Sequence, residues 1–346
     1  RLMAGLFEEA DRSRFDLHAY SYGPDDRSAT RQRIRAAFGE SWRDIGALPD
    51  SDAAAAIRDD GIDLLIERKG HTRGGRLGIL ASRPAPVQLH YMSFPGTLGY
   101  DAVDGIIADE VVIPESAEAF YHERIWRMPR CYFVNDGRRG MPAAMTRRDA
   151  GLPDGALVFA CFNQSYKLSP AVFAIWMDVL AHSPNAVLWL LASRERMKAN
   201  LHRNAARAGV DPARLIFAPL VPQQAHIARL TCADLALDTL PYGSHTTGCD
   251  ALWAGVPLLT CPGETFASRV GASLLRTAGL PGLVAASLDD YRERLHELAS
   301  RPYELRAHHE FLERTRRDNP LFDTRGFARD WETLLERAYA GTLAAR

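Results

Sequence analysis

The sequence has no long hydrophobic run and almost no net charge. Its longest apolar stretches, such as residues 186–192, have the length of a buried strand, so the sequence predicts no transmembrane helix. Its 42 basic and 43 acidic residues leave a net charge of −1. That charge provides no overall field to attract a nucleic-acid backbone or an anionic membrane. We therefore expect a soluble protein whose partners include neither nucleic acid nor membrane.

Paired cysteines are also missing. The five cysteines are widely separated along the chain: Cys131, Cys161, Cys232, Cys249 and Cys261. There is no CxxC pair and the number is odd, which argues against both a zinc knuckle and a secreted disulfide framework. No suitably spaced base marks Cys161 or Cys249 as a nucleophile, so we predict that both are small core residues. The cytoplasm, which is reducing, is the simplest compartment for such a chain.

Several catalytic and targeting signatures are absent as well. The sequence contains no GxSxG, HExxH or Walker-type loop, which argues against hydrolases of those classes and against P-loop enzymes. The N-terminus lacks the charged start, apolar middle and cleavage site of a signal peptide. Residues 1–10 instead have the pattern of the end of an amphipathic helix. Because such a helix normally follows a strand in an α/β protein, we expect a segment upstream of residue 1.

Strands alternate with helices along the chain, a pattern typical of parallel sheets covered on both faces. In the first half, strands are predicted over 15–22, 62–67, 87–92 and 105–109, with helices over 28–38 and 52–59. In the second half, strands are predicted over 157–163, 186–192, 215–220, 235–238 and 257–261, with helices after each of them. The helix that follows the first of these strands has Ser169 as its N-cap and Pro170 at its first position. The pattern predicts an α/β fold with two Rossmann-like sheets.

The composition suggests where the domains begin and end. Residues 1–135 form the predicted N-terminal Rossmann-like domain, and the Pro/Arg/Gly-rich stretch 136–155 is the predicted linker. Residues 156–287 form the predicted C-terminal Rossmann-like domain, and the charged residues 288–346 form a helical segment. We expect the two domains to face each other across a cleft, because open α/β sheets bind ligands beyond the carboxyl ends of their strands.

The polar side chains of the second half cluster in the loops that follow strands. These loops are Gln164–Lys167, Val221–Arg229, Thr239–Asp250 and Pro262–Arg269. The carboxyl ends of parallel strands meet at one edge of a sheet, so we expect the four loops to lie close together. The clustering predicts a binding site at that edge.

The stretch GSHTTGCDALWAG, residues 243–255, predicts an anion site. A helix that begins near 244–246 presents free N–H groups and the positive end of its dipole to an anion. His245, Thr246 and Thr247 add side-chain donors, and Lys167 could reach the same phosphates from a neighbouring loop.

One turn into this helix, Asp250 would repel a phosphate but would accept hydrogen bonds from the vicinal hydroxyls of a sugar. A phosphate beside a ribose indicates a nucleotide.

Each of these residues also has an ordinary structural interpretation. Serine and threonine at a helix start most often cap the helix. Asp250 could interact with the helix dipole, His226 could be a surface histidine, and Lys167 could be a solvated charge. Taken singly, each ordinary interpretation is favoured, but the concentration of polar loops at one sheet edge favours a ligand site.

Five stretches in order along the chain resemble the catalytic region of the O-linked N-acetylglucosamine transferase and SPINDLY family, in its bacterial form. They are residues 83–99, 161–170, 187–191, 243–275 and 319–323. The similarity extends from about Asp16 to the C-terminus. It implies a glycosyltransferase fold of the GT-B type, usually preceded by tetratricopeptide repeats. It also implies transfer of a sugar from a nucleotide diphosphate to Ser or Thr of proteins, without a metal or a cofactor.

The resemblance implies roles for residues that match the family motifs. Those that match its diphosphate site are Gln164, Lys167, His245, Thr246 and Thr247, and Tyr166, which lies between the first two, is included in the predicted site. Of these, Lys167, Thr246 and Thr247 would stabilise the negative charge that develops on the leaving diphosphate, which makes them the predicted catalytic residues. Those that match the ribose, base and sugar sites are Asp250, Val221, His226, Arg229, Pro95, Gly96 and Thr97. The resemblance implies that His226 stacks on the base.

The chain departs from the family at three places. Gln223 stands where the animal enzymes have a lysine that contacts the nucleotide. Arg73 replaces another lysine but keeps the charge. The family's segment with an Asp and a His on the acceptor side would precede residue 1, so the N-terminal domain is expected to be incomplete.

Three functions are compatible with these observations. The first is an inverting transfer of N-acetylglucosamine from UDP-N-acetylglucosamine to Ser or Thr of an acceptor protein, which the upstream repeats would orient. The second is a protein O-fucosyltransferase that uses GDP-fucose. The third is a nucleotide-binding scaffold module without turnover.

Overall fold

A computed structural model of the protein describes residues 2–191 and 194–345. The chain divides into two compact units. The first consists of Arg1–Arg138 together with Pro320–Arg346, and the second of Arg139–Asn319. In the described part of the chain, no helix combines the length and the apolar character needed to cross a membrane.

The first unit contains two parallel sheets. Its elements before the domain boundary are α1 (Ala4–Glu9), β1 (Ala19–Ser21), α2 (Ala29–Phe38), β2 (Trp42–Asp44), α3 (Asp50–Asp59), β3 (Leu64–Glu67), α4 (Leu77–Ala81), β4 (Val87–Tyr91), β5 (Gly105–Ala108) and β6 (Arg124–Arg127). β1 pairs with β2, and the larger sheet has the order β3-β4-β5-β6. The pattern did not predict β2, α4 and β6. β6 is an edge strand with arginines at both ends, so it lacks the apolar run of a central strand.

The second unit is built on one five-stranded parallel sheet. Its elements are β7 (Leu157–Cys161), α5 (Pro170–His182), β8 (Ala186–Leu191), α6 (Glu195–Arg207), β9 (Leu215–Ala218), α7 (Gln223–Leu230), β10 (Leu235–Leu237), α8 (Thr246–Trp253), β11 (Leu258–Leu259), α9 (Phe266–Ala278), α10 (Leu288–Ser300) and α11 (Pro302–Thr315). The strand order is β11-β10-β7-β8-β9. The chain runs outward from β7 to β9 and then returns to β10 on the other side of β7. The switch point therefore lies between β7 and β10, where ligands bind in folds of this type.

The predicted start of α5 is confirmed. The Oγ of Ser169 accepts a hydrogen bond from the backbone N–H of Val172, and Pro170 occupies the first turn. The last residue of the predicted strand 186–192 lies outside the described residues. Cys161 and Cys249 are buried, as predicted for core residues. Burial raises the pKa of the Cys161 thiol to about 12, which does not suit a nucleophile.

The C-terminal residues do not form one helical segment with a single location. α10 and α11 belong to the second unit, whereas α12 (Thr324–Leu343) belongs to the first. α12 lies on the sheet of the first unit, where the ring of Trp331 is 4.4 Å from that of Tyr91. The buried side chains of α12, such as Trp331, therefore belong to the core of the first unit.

Candidate functional site

The loops that follow β7 and β10 meet at the switch point through side-chain hydrogen bonds. Asn163, the second residue after β7, donates from Nδ2 to Thr239 Oγ1 over 2.9 Å and to Ser244 Oγ over 3.2 Å. Its Oδ1 accepts a 2.6 Å bond from the hydroxyl of Thr247 in the first turn of α8. The Asn163 amide thus joins three positions of the neighbouring loop and helix start.

A buried carboxylate organises the loop that leads into α8. Asp238 Oδ1 accepts hydrogen bonds from the N–H groups of Thr239 and Ser244, at 2.7 and 2.5 Å, and from Ser244 Oγ at 2.7 Å. Its Oδ2 accepts from Thr260 Oγ1 at 2.6 Å. A Cβ on Gly271 would lie 2.5 Å from Oδ2, so only glycine allows α9 to approach this closely. Burial raises the pKa of Asp238, and the donors act in the opposite direction.

Asp238 and Asn163 were not predicted from the sequence. The sequence signal was an aspartate directly after a short buried strand, and an asparagine two residues after the central strand. Both residues follow strands that the sheet places side by side. Their pairing depends on that strand order, which the local pattern does not contain.

Lys167 lies beside the start of α8. It ends the single 3-10 turn Ser165–Lys167, and its Nζ donates a 2.8 Å hydrogen bond to the carbonyl oxygen of Gly243. The same ammonium is 4.0 Å from the centroid of the Tyr242 ring. Burial lowers the pKa of Lys167 to about 8, although the charge of Asp238 acts to raise it. The predicted cation is therefore close to the predicted anion site.

α8 begins at Thr246, within the predicted interval. The N-cap residue is His245, whose side chain makes no capping hydrogen bond. Ser244 Oγ donates to Asp238, and Thr247 Oγ1 donates to Asn163. These bonds differ from the capping role that serine and threonine usually have at a helix start.

His245 is held in one orientation. Its ring stacks on that of Tyr242 with centroids 5.2 Å apart, and its Nε2–H donates to the carbonyl oxygen of Ala267 over 3.2 Å. Burial, together with the nearby charge of Lys167, lowers the pKa of His245 to about 3. The ring is consequently neutral at physiological pH.

His226 and Arg229, both on α7, pack against Phe162 immediately after β7. The His226 and Phe162 rings meet edge to face at 5.1 Å, and the Arg229 guanidinium is 4.4 Å from the centroid of Phe162. Arg229 Nε–H donates to His226 Nδ1 over 3.1 Å, and NH1 donates to Pro219 O over 2.6 Å. Burial lowers the pKa of Arg229 to about 10. Arg229 thus orients the imidazole and fixes the proton of a neutral His226 on Nε2.

The other residues predicted at the loops of the second unit differ in exposure. Gln164 is exposed, and Tyr166 is 75% exposed with its ring 6.2 Å from that of Tyr242. Val221 is half-buried just before α7. Asp250 is only 2% exposed, and one of its carboxylate oxygens accepts a 3.1 Å bond from Arg139 NH1.

Arg139 places a buried guanidinium beside this carboxylate. Its guanidinium is 4.6 Å from the centroid of the Trp253 ring, and its side chain is 10% exposed. From the sequence, Arg139 was predicted only as part of the linker 136–155. The ribose role of Asp250 stays a prediction.

Pro95 and Gly96 belong to the first unit and follow β4. The chain bends after β4 through Met92 and Ser93, whose φ angles of 64° and 47° lie in the left-handed region. Non-glycine residues adopt that region at a cost of about 1–3 kcal/mol each. The next residue, Phe94, accepts a 2.8 Å hydrogen bond from His90 Nε2 at its carbonyl oxygen. This bond holds the bend that leads to Pro95.

His90 and Glu67 form a buried pair that the sequence analysis missed. His90 Nδ1 is 3.2 Å from Glu67 Oε2, and the same carboxylate accepts from the N–H groups of Lys69 and Gly70. Burial acts to raise the pKa of Glu67, but the bonds from His90 and the two amides outweigh it, so that pKa is lowered. The two ring nitrogens of His90 thus contact two different acceptors, the Glu67 carboxylate at Nδ1 and the carbonyl oxygen of Phe94 at Nε2.

We expect His90→Leu to destabilise the first unit by about 3 kcal/mol, because it removes the ring contacts to two buried acceptors, the Glu67 carboxylate and Phe94 O. Urea unfolding, followed by tryptophan fluorescence, measures this loss. The double variant Glu67→Leu/His90→Leu should lose less than the single variant, because no buried charge remains. His71→Leu, which removes one bond to Leu98 O, is the matched control, with an expected loss of about 1 kcal/mol. Equal losses for His90→Leu and His71→Leu would contradict a stabilising role of the His90–Glu67 contact.

The chain is similar to proteins of one glycosyltransferase family. The model of glycosyl transferase family 41 matches residues 1–148 and 141–331. The chain is 37% identical over 345 residues to the probable UDP-N-acetylglucosamine–peptide N-acetylglucosaminyltransferase SEC of Arabidopsis thaliana. This alignment covers 98% of the chain and 35% of that protein. It is 32% identical over 307 residues to the corresponding probable enzyme SPINDLY of Solanum lycopersicum, over 86% of the chain and 32% of that protein.

A solved structure shares the fold. The structure of a point mutant of the O-GlcNAc transferase of Thermobaculum terrenum has a TM-score of 0.91 and 31% identity, and it covers 99% of this chain and 65% of that one. The predicted α/β fold of the GT-B type is confirmed by this likeness, and the resemblance noted in the sequence is confirmed by the family match. The chain spans about a third of the length of the curated relatives. This chain belongs to glycosyl transferase family 41.

Proposed function

We propose that this chain binds UDP-N-acetylglucosamine and transfers N-acetylglucosamine to Ser or Thr of an acceptor protein with inversion. The observation that carries the proposal is the 2.8 Å bond from Lys167 Nζ to Gly243 O, three residues before α8 begins. A cation and the positive end of a helix dipole thus lie next to each other. Together they form a site for a diphosphate. The names of the SEC and SPINDLY relatives support the choice of donor.

The proposed step needs no metal and no cofactor. The bond between the sugar C1 and the diphosphate oxygen breaks, and negative charge develops on the leaving UDP. Lys167 and the backbone N–H groups of Thr246 and Thr247 would stabilise that charge, since donors held in place before the reaction cost no reorganisation. The acceptor hydroxyl would attack C1 from the opposite face and lose its proton. Gln164 and Tyr166 would contact the diphosphate from the loop after β7.

The remaining site residues would recognise the rest of the donor. Asp250 would accept from the ribose hydroxyls, Val221 and His226 would hold the base, and Arg229 would act through His226. Pro95 and Gly96 would lie near the sugar. For the whole protein, we propose an acceptor protein that presents a serine or threonine, tetratricopeptide repeats that orient it, and a location in the cytoplasm.

Calorimetric titration of the chain with UDP and with GDP tests the proposal. We expect UDP to bind at least about tenfold more tightly than GDP, and His226→Ala to weaken UDP binding by about ten- to hundredfold through the loss of base stacking. His202→Ala is the matched control, since His202 packs on Phe217 from α6. A preference for GDP would favour the fucosyltransferase instead. Nucleotide binding without sugar transfer by the full-length protein would favour a scaffold module.

A further inference from the structure

A second polar cluster lies on helices α5 and α10 of the second unit. Within residues 2–191 and 194–345, one group of three metal-ligand side chains has its ligand atoms within 4.8 Å of one another: Asp178, His182 and His296. Asp178 and His182 are one turn apart near the end of α5, and His296 comes from α10. Helices α5 and α10 pack against each other, so the fold holds the three side chains together.

The distances suit a tetrahedral metal ion. His296 Nε2 is 2.9 Å from Asp178 Oδ2, and His182 Nδ1 is 3.5 Å from Asp178 Oδ1. Two ligands of a tetrahedral Zn²⁺ site are about 3.3 Å apart, because Zn²⁺ binds nitrogen and oxygen at about 2.0–2.2 Å. His182 Nδ1 also lies 2.8 Å from the backbone carbonyl oxygen of Asp178, so a bound ion would replace that contact.

We propose that Asp178, His182 and His296 bind Zn²⁺, with water as the fourth ligand. His296 and Asp178 now share a hydrogen bond, and the ion would replace the proton between them. Because a ligating imidazole nitrogen must be deprotonated, binding releases protons and weakens as the pH falls. The positive charge of Arg292 also favours the ionised form of Asp178. Arg292 itself is paired with Asp289 at 3.1 Å.

The proposed ion would link two helices that support the site described above. Trp176 of α5 donates from Nε1 to the hydroxyl of Tyr291 of α10 over 3.2 Å. That hydroxyl donates to the carbonyl oxygen of Asp238 over 3.3 Å. A Zn²⁺ ion on the same two helices would therefore stabilise the second unit. The ion would have no part in the transfer step.

Calorimetry with ZnCl₂ on the metal-free protein tests the site, and thermal unfolding gives a second measurement. We expect one Zn²⁺ per chain and a melting temperature about 5 °C higher at a hundredfold excess over Kd. Mg²⁺, which prefers oxygen ligands, should have neither effect. His182 is 68% exposed, so His182→Gln should fold normally. It should weaken Zn²⁺ binding at least tenfold, because even the loss of a residue behind a ligand costs that much.

His296→Asn should abolish the thermal shift. His122→Asn is the matched control, since His122 forms a 3.0 Å pair with Asp101 that contains only one histidine. Its Zn²⁺ affinity should equal that of the unchanged protein. Absence of Zn²⁺ binding, or equal affinity of the unchanged protein and His182→Gln, would overturn the proposal. The result does not depend on whether the chain binds UDP.

Discussion

Replacing Lys167 with alanine is expected to lower kcat by about 10²–10³-fold, the usual effect of removing one preorganised donor from a developing negative charge. UDP binding should weaken much less, because the N–H groups at the start of α8 remain. The two effects are separated by measuring transfer from UDP-N-acetylglucosamine to a serine peptide and by calorimetry with UDP. An unchanged turnover would exclude Lys167 from the transfer step.

Lys167→Arg is the matched control and adds a pH test. Burial lowers the pKa of Lys167 to about 8, so the ammonium is present at pH 6 and lost as the pH rises through about 8. We therefore expect kcat/KM, which reports groups of the free enzyme, to fall on the alkaline side with a midpoint near that value. Arginine stays protonated over this range, so the variant should keep a lower activity without the alkaline decline. The same decline in both proteins would assign it to another group.

Asp238→Asn should destabilise the second unit, although we do not expect Asp238 to contact the base or the sugar. Asp238 accepts four hydrogen bonds at 2.5–2.7 Å from Thr239, Ser244 and Thr260. An amide NH₂ in place of Oδ1 would face two backbone N–H groups, whereas in place of Oδ2 it would make the Thr260 hydroxyl turn and accept. Either orientation also replaces charge-assisted hydrogen bonds by weaker neutral ones, so we expect a loss of about 2 kcal/mol in the free energy of unfolding. Urea unfolding of the second unit measures it.

UDP affinity should fall in the same variant. Asp238 Oδ1 accepts a 2.5 Å hydrogen bond from the N–H of Ser244. The residue before it, Gly243, supplies the carbonyl oxygen to which Lys167 donates. Thr260→Val is the matched control, because it removes one of the donors and leaves the others in place, with an expected loss of about 1 kcal/mol and little change in UDP affinity. If Asp238→Asn behaves like Thr260→Val in both measurements, the carboxylate does not position the loop.

The local pattern of the sequence was enough to predict most of the second unit. Central strands such as Ala186–Leu191 are buried along their whole length, so each reads as a short continuous apolar run. The starts of α5 and α8 were predictable from residues that act within one turn, such as Ser169 and Pro170. Short edge strands such as Arg124–Arg127 were missed, because an edge strand needs no apolar run.

The polar pairs inside each of the two units were not predictable from the same pattern. Asn163 bonds to Ser244, Arg139 to Asp250, and His90 to Glu67, across separations of 81, 111 and 23 residues. Strand and helix periods depend on neighbours within about four residues, so composition and spacing predict where α8 begins and suggest an anion site there. Which polar side chain meets which partner depends on the strand order, and that order becomes definite only when the sheet is assembled.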